Sequence, residues 1–317
     1  MESDRRLIIV PQLRVLMRYQ EWWPQLFEKE LSKFFGEVLV LGGTHVRPHH
    51  SKPSHFSNMA VAIHWESDLI ADYLRVGLRK SDVLLHLDLS FPGLFHSVLY
   101  HKRPEKAVVF CHATAKNRFD IFHKHRKSKW KQEKAHAEMY DTVLVASEYH
   151  RNRLSLPNVV SLDALPQTPE PGSRSVPRTI EFCSTTRPCL QKVNLEVEKA
   201  VEALSGEKIH RYRFPDWKSY FHFLDRTHFL LLTPREETYG ITAMDALQRG
   251  CIPIAPRAFS YPETLPDHLL YDPDASVQEK AREIMRIAEK AKGWKVTPKN
   301  FKAVEQFFPR LAEELLR

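Results

Sequence analysis

The chain has 317 residues and a formal net charge of +8, with 43% hydrophobic and 27% charged residues. Its isoelectric point is near 9.2. This is the composition of an ordinary globular protein, and the length suits two domains better than one. It excludes low-complexity and disulfide-rich classes, and no run approaches the ~20 apolar residues that span a bilayer. The opening MESDRRLIIVPQLRV mixes acids with arginines and has too short an apolar run for a signal peptide. Cys111, Cys183, Cys189 and Cys251 show no CxxC spacing. A reduced chain in the cytoplasm of a bacterial or phage-infected cell is the expectation.

In chain order, Leu7–Val10, Val38–Leu41, Val83–His86, Ala107–Phe110 and Thr142–Val145 are short continuous apolar runs. Such runs mark parallel strands buried on both faces. Between them, Trp22–Phe35 and Ser67–Leu78 carry apolar residues at i, i+3 and i+4, the helical period. Trp22-Trp23 opens the first of these, either as core or as a stacking surface for a base or sugar. The loop after the first strand, Pro11 to Trp23, contains no glycine. With no glycine to let the backbone approach a ligand, side chains such as Gln12 and Arg14 take over the contacts, or the ligand enters differently. The stretch ALPQTPEPGSRSVPR between Asp163 and Thr179 is rich in proline and has no apolar period, which makes it a linker. Beyond it, Thr179–Phe182, Ile209–Phe214, Phe229–Leu232 and Ile252–Ala255 repeat the strand pattern. Phe301–Leu316 is helical apart from Pro309, which is expected to kink or split it. These elements predict an α/β protein of two doubly wound, Rossmann-like domains facing a cleft. Residues 1–165 form the first domain, 179–300 the second and 301–317 a last helix.

The most informative segment is Leu230–Pro256, which reads strand, loop, helix, strand. Glu237 and Asp245 flank Tyr239-Gly240, where a glycine lets backbone amides approach a ligand at a helix start. Amides favour phosphate, and carboxylates favour the paired hydroxyls of a sugar. The two together describe a nucleotide sugar. A solvated acidic pair, Glu236-Glu237, and a surface Asp245 are the plain alternatives.

Glu237 to Asp245 resembles the E-G-F-G-L-P-x-L-E signature of retaining GT-B glycosyltransferases of the family 4 group. It departs at Thr238, Thr242 and Asp245. Gly250–Ala255 resembles the family's G-x-P-V-I-A strand, Pro262-Glu263 its P-E and Leu270–Asp274 its L-F-D-P-x loop. Ser147-Glu148 is similar to its S-E. Arg187 and Lys192 have the spacing of its diphosphate-binding R-x4-K. The resemblance implies the GT-B fold, with the C-terminal helix crossing back to the first domain. It implies that Arg187 and Lys192 hold the donor diphosphate, Glu237 the transferred sugar and Asp245 the ribose. The amides around Tyr239, Gly240, Ile241 and Thr242 would take the distal phosphate. The donor would be a UDP- or GDP-sugar. No metal would be required, and Asp272-Pro-Asp274 is discounted as a metal motif because it falls in the D-P loop. His112, at the end of a first-domain strand, stands where the family often places a histidine near the donor sugar. It is also one of 17 histidines, and an isolated one says little.

Lysine and arginine concentrate between Arg103 and Lys134, with His123, His125 and Trp130 interleaved. Lys124, Arg126 and Lys127, with Asp120 nearby, are the acceptor-side candidates. A basic face gathers phosphates, so DNA is a candidate partner, an anionic membrane surface another, and a solvated helix face the plain reading. The histidine-rich stretch His45–His55 lacks a metal-ligand period and is taken as an acceptor-side loop. The acceptor that best suits this charge is a hydroxymethylated pyrimidine in DNA. An envelope glycan or lipid is the alternative. A non-catalytic nucleic-acid-binding protein on the same scaffold is a third reading, which intact Arg187, Lys192 and Glu237 disfavour.

Overall fold

The computed structural model describes residues 3–44, 59–90, 93–119, 123–168, 176–184 and 191–317. The chain divides into two compact units: Met1–Ala146 with Arg151–Leu162 and Gln306–Arg317, and Ser147–His150 with Asp163–Glu305.

The first unit is built on a parallel sheet of β1 (Ser3–Val10), β2 (Phe35–Val40), β3 (Val83–His86), β4 (Lys106–Phe110), β5 (Thr142–Val145) and β6 (Val159–Ser161). The strand order is β2-β1-β3-β4-β5-β6. α1 (Trp23–Leu31), α2 (Met59–Arg75), α3 (Phe95–His101), α4 (Arg126–Ala137) and α5 (Glu148–Leu154) lie between the strands in the chain. Every residue of β3 and β5 is buried. A sheet covered on both faces favours apolar residues in succession rather than alternation, and both strands are apolar but for His86 at the end of β3 and Thr142 at the start of β5. At the start of the sheet, Arg6 is locked to Asp82, Nη2 to Oδ2 at 2.7 Å and Nε to Oδ1 at 3.1 Å, and it also donates to the Gly77 carbonyl.

The second unit carries a parallel sheet ordered β10-β9-β8-β7. Its strands are β7 (Ile180–Ser184), β8 (Thr227–Leu231), β9 (Ile252–Pro256) and β10 (Leu270–Tyr271). The helices are α6 (Leu195–Ser205), α7 (Trp217–Asp225), α8 (Ile241–Gln248), α9 (Tyr261–Thr264) and α10 (Val277–Ala291). Phe182, Phe229, Ile254 and Ile284 are core residues here. Ser276 and Glu279 form a reciprocal capping box that starts α10.

Three expectations change. Ile209–Phe214 is not a strand; it makes a single bridge, His210 to Cys183. Its side chains are spent on other partners, since Arg211 pairs with Glu198 and Phe214 packs on Phe223. β6 and β10 were not anticipated, because two or three residues carry no readable period. The C-terminal pattern does split, into α11 (Phe301–Glu305) and α12 (Phe307–Leu316), but at Gln306 rather than at Pro309. Pro309 sits in the first turn of α12, where its missing N–H leaves no bond unmade.

α12 returns to the first unit. The Phe307 ring packs against Phe27 and Phe110 at 6.1 and 6.2 Å. Arg310 donates to the Leu162 and Ser161 carbonyls at 2.7 and 3.3 Å. Phe307 is 1% exposed, so Phe307→Ala should cost about 3–5 kcal/mol. Urea denaturation should show it as a lowered midpoint. An unchanged midpoint would mean that α12 is not part of this core.

Candidate active site

Two of the donor-side candidates, Lys192 and Glu237, meet where the loops after β7 and β8 lie side by side. The loop after β7 and the loop after β8 are stitched by Arg235 N–H donating to the Gln191 carbonyl at 2.9 Å and by Asn194 N–H donating to Thr233 Oγ1 at 3.0 Å. Between these stitches, Lys192 Nζ lies 2.7 Å from Glu237 Oε2, with side-chain exposures of 18% and 15%. Burial alone would raise the Glu237 carboxyl. The charge and hydrogen bond of Lys192, with the Thr238 and Tyr239 amides, outweigh it and hold the carboxyl below its ordinary value. The pair is therefore ionised and partly accessible. Arg187 lies outside the described residues.

α8 begins at Gly240, which has φ 89° and ψ 49°. That left-handed conformation favours glycine, and a Cβ there would also stand 2.9 Å from Tyr261 Cε1. No side chain caps this end, so the amides at Ile241 and Thr242, both half-buried, keep the donor capacity of a helix start. Tyr239 points elsewhere. It is 3% exposed, and its hydroxyl accepts from Asn300 Nδ2 at 3.2 Å. Asn300 in turn donates to the Asp163 carbonyl at 2.7 Å. The aromatic of the motif is thus a packing residue, and its backbone N–H is turned to Glu237 Oε1 at 3.5 Å. Glu263 of the Pro262-Glu263 motif accepts the amides of Glu148 and Tyr149 at 2.8 and 2.7 Å. Ser147 Oγ donates to the Thr238 carbonyl at 2.7 Å. Two motifs distant in sequence therefore brace the loop that carries Glu237.

Asp245 departs from expectation. It is 4% exposed and accepts from the Tyr220 hydroxyl at 3.1 Å. Burial pushes its carboxyl up to about 7. The Tyr220 hydroxyl occupies one oxygen of this carboxyl, Oδ2. Asp272 and Asp274 close a turn, with Asp274 N–H on Asp272 Oδ1 at 2.8 Å. Among the described residues no cluster of His, Cys, Asp or Glu has the geometry to hold a metal.

In the first unit the chain order reverses between β1 and β3, and ligands of open α/β sheets bind at such a switch point. Gln12 follows β1 and Asp88 follows β3. Gln12 Nε2 donates to Asp88 Oδ2 at 2.5 Å, and Ser90 N–H donates to Oδ1 at 2.9 Å. Asp88 is half-buried and was missed in the sequence; its signal was an acid two residues beyond a buried strand. His112 follows β4 and stacks on Phe110, with Trp23 at 5.2 Å. Its Nε2 lies 3.0 Å from the Leu87 carbonyl, which assigns the proton to Nε2 and leaves Nδ1 as an acceptor. Burial lowers its pKa to about 4, so the ring is neutral at pH 7. It can accept a hydroxyl but does not supply a positive charge.

Arg14 does not reach out to a ligand. It is 6% exposed, and it donates to the Glu21 and Thr44 carbonyls at 2.6 and 2.7 Å. The glycine-free loop is held by this guanidinium instead. Trp23 is core at 1% exposure. Arg126 and Lys127 are exposed in the first turn of α4. Asp120, the side chain of Lys124 and the stretch His45–His55 lie outside the described residues. No described helix is long and apolar enough to cross a membrane.

No protein-family model matches the chain. Solved structures do. The sucrose-phosphate synthase of Thermosynechococcus elongatus aligns over 98% of this chain and 94% of its own, at a TM-score of 0.63 and 11% identity. The α,α-trehalose-phosphate synthase (UDP-forming) of Burkholderia vietnamiensis aligns over 98% and 96%, at a TM-score of 0.59 and 12% identity. TarM of S. aureus, in complex with fondaparinux, α-GlcNAc-glycerol and UDP, aligns over 78% of this chain and 55% of its own, at 0.51 and 13%. The chain spans about half of TarM. These proteins are GT-B glycosyltransferases, and the chain has their fold.

The raised Asp245 carboxyl makes a pH-dependent prediction. An unfolded aspartate ionises near 3.9, so between about pH 4 and 7 the folded chain holds a proton that the unfolded chain has lost. Stability contributed here is complete below about pH 4 and falls as pH rises, by about 4 kcal/mol once pH exceeds 7. Asp245→Asn removes that loss. Its melting temperature should exceed the wild type's by more at pH 8 than at pH 5, and a gap that does not change with pH would refute the assignment.

Proposed function

We propose that the protein is a retaining glycosyltransferase that moves a sugar from a nucleotide sugar to an acceptor hydroxyl. The observation that carries this is the ionised Lys192–Glu237 pair, 2.7 Å apart, beside the open helix start at Gly240, on a fold shared with UDP-forming and UDP-binding enzymes. In this reading the donor diphosphate draws Lys192 from Glu237, and Arg187 joins it. As the bond between the anomeric carbon and the phosphate oxygen breaks, negative charge grows on the diphosphate and these cations stabilise it. The α8 amides take the distal phosphate, and the freed Glu237 carboxylate accepts hydroxyls of the sugar. The acceptor oxygen forms the new bond on the face the diphosphate leaves, and its proton passes to a departing phosphate oxygen. Neutral His112 accepts a sugar hydroxyl, and Asp88, held by Gln12, orients the acceptor. No step calls on a metal ion.

The basic first turn of α4 favours an anionic acceptor, and a hydroxymethylated pyrimidine in DNA is the form we propose. The names of the similar enzymes point instead to sugar phosphates, which are anionic too. Incubation with labelled UDP- and GDP-sugars and hydroxymethylated DNA, unmodified DNA, sugar phosphates or an envelope extract distinguishes these acceptors. Label in the hydroxymethylated DNA alone is the expected result; label only in another acceptor removes the DNA reading.

The donor site has its own test. A nucleotide sugar at a hundredfold excess over its Kd should stabilise the protein by about 2.7 kcal/mol. Lys192→Ala and Arg187→Ala should each slow transfer about 10²-fold or more with the fold intact. Glu237→Gln should lower turnover more than donor binding. If no nucleotide or nucleotide sugar raises the melting temperature, the donor site is wrongly assigned.

A further inference from the structure

Arg126 and Lys127 stand in the first turn of α4, and no acid accompanies them there. A helix start carries partial positive charge, so cations at that end oppose the dipole and work against helix stability. Lys131 and Lys134 are exposed further along. Among the described residues none of these four cations has a carboxylate partner. Lys127, Lys131 and Lys134 follow at i, i+4 and i+7, so they share one face over about 10 Å of helix. Charge placed against local stability and left unpaired points to an anion from outside.

The surface beside this stripe is concave. A groove of about 450 Å³ is lined by Lys116, Arg126, Lys127, Trp130 and Arg153. A second, of about 600 Å³, adjoins it, with Arg126 and Lys127 lining both. Lys116 is itself fixed. Its Nζ donates to the Arg153 and Leu154 carbonyls at 3.0 and 3.1 Å and sits 4.5 Å from the Trp130 ring centroid. Trp130 is thereby held as a half-buried aromatic wall between cations. A lone phosphate would ask for cations converging on one closed pocket. Here two concavities share a ridge and the charge runs on past it, which suits a linear polyanion. A membrane surface would be met by large apolar side chains beside the cations, yet the exposed large hydrophobics of the described chain, such as Leu74 and Tyr100, do not lie on α4.

We infer that this face binds single-stranded nucleic acid, with backbone phosphates following Arg126, Lys127, Lys131 and Lys134 and an unstacked base against Trp130. Cations that track the backbone beside an aromatic that takes a base are the general means of holding a single strand. The inference deepens the DNA reading of the acceptor and rests on it only for the purpose the bound strand serves.

The test is fluorescence anisotropy with a labelled 12-nucleotide strand, its duplex and phosphatidylserine vesicles, without donor. The single strand should bind most tightly, with log K falling by about 0.7 per phosphate contact for each unit of log salt. Lys127→Glu with Lys131→Glu, both exposed, should weaken it more than tenfold. Trp130→Ala should weaken it about 5- to 100-fold, and Trp130→Phe should retain most of the affinity. Circular dichroism checks that each variant is folded; should Trp130→Ala unfold, the lysine pair and the preference for single strand over duplex decide. Binding to vesicles but not to the strand, no binding at 50 mM salt, or equal affinity for strand and duplex would overturn the inference. Strand binding without label transfer to any DNA supports it and removes the DNA acceptor alone.

Discussion

Parallel pairing is the constraint on which the rest depends. Strands that run the same way bring their carboxyl ends to one edge of a sheet, and helices covering both faces leave that edge as the place where polar loops can meet solvent. In the second unit, Lys192 and Glu237 come from loops after adjacent strands, distant in the chain, and still meet at 2.7 Å. In the first, Gln12, Asp88 and His112 follow three neighbouring strands in the same way. Neither site needs a special local conformation to exist, with one exception. Gly240 must hold a positive φ beside Tyr261 so that α8 can start without a side-chain cap.

Electrostatics then separate residues that look alike in sequence. Glu237 and Asp245 are both acids of one motif. Lys192 and two amides keep Glu237 ionised despite its burial, whereas Asp245 has the Tyr220 hydroxyl and no cation, so burial raises it to about 7. The same logic divides the arginines. Arg14 and Arg6 are spent on carbonyls and on Asp82, while Arg126 is exposed at a helix start that disfavours it. An exposed cation in the wrong place is a stronger functional signal than a buried one with satisfied donors.

The sequence made the strands legible because buried parallel strands are continuous apolar runs; Val83–His86 and Thr142–Val145 have the observed bounds. It misled at Ile209–Phe214, where the apolar and aromatic residues are present but pack on α7 rather than on a sheet. Pro309 was visible as a helix problem, yet the backbone breaks at Gln306 and uses the proline where it does no harm. Asp88 escaped notice because a single acid after a strand has no pattern of its own; its meaning comes from lying across the switch point from Gln12.

Local chemistry is what the sequence by itself determined: which segments are strands or helices, that Gly240 opens a helix, and that a lysine and a glutamate carry the motif. Those properties follow from side-chain type and short-range spacing, which a linear chain displays directly. Only the tertiary structure decided which acid stays charged, which arginine is free to meet a ligand, and that Trp130 is held among cations. Ionisation and availability depend on burial and on neighbours brought together from distant parts of the chain, and no linear spacing records those.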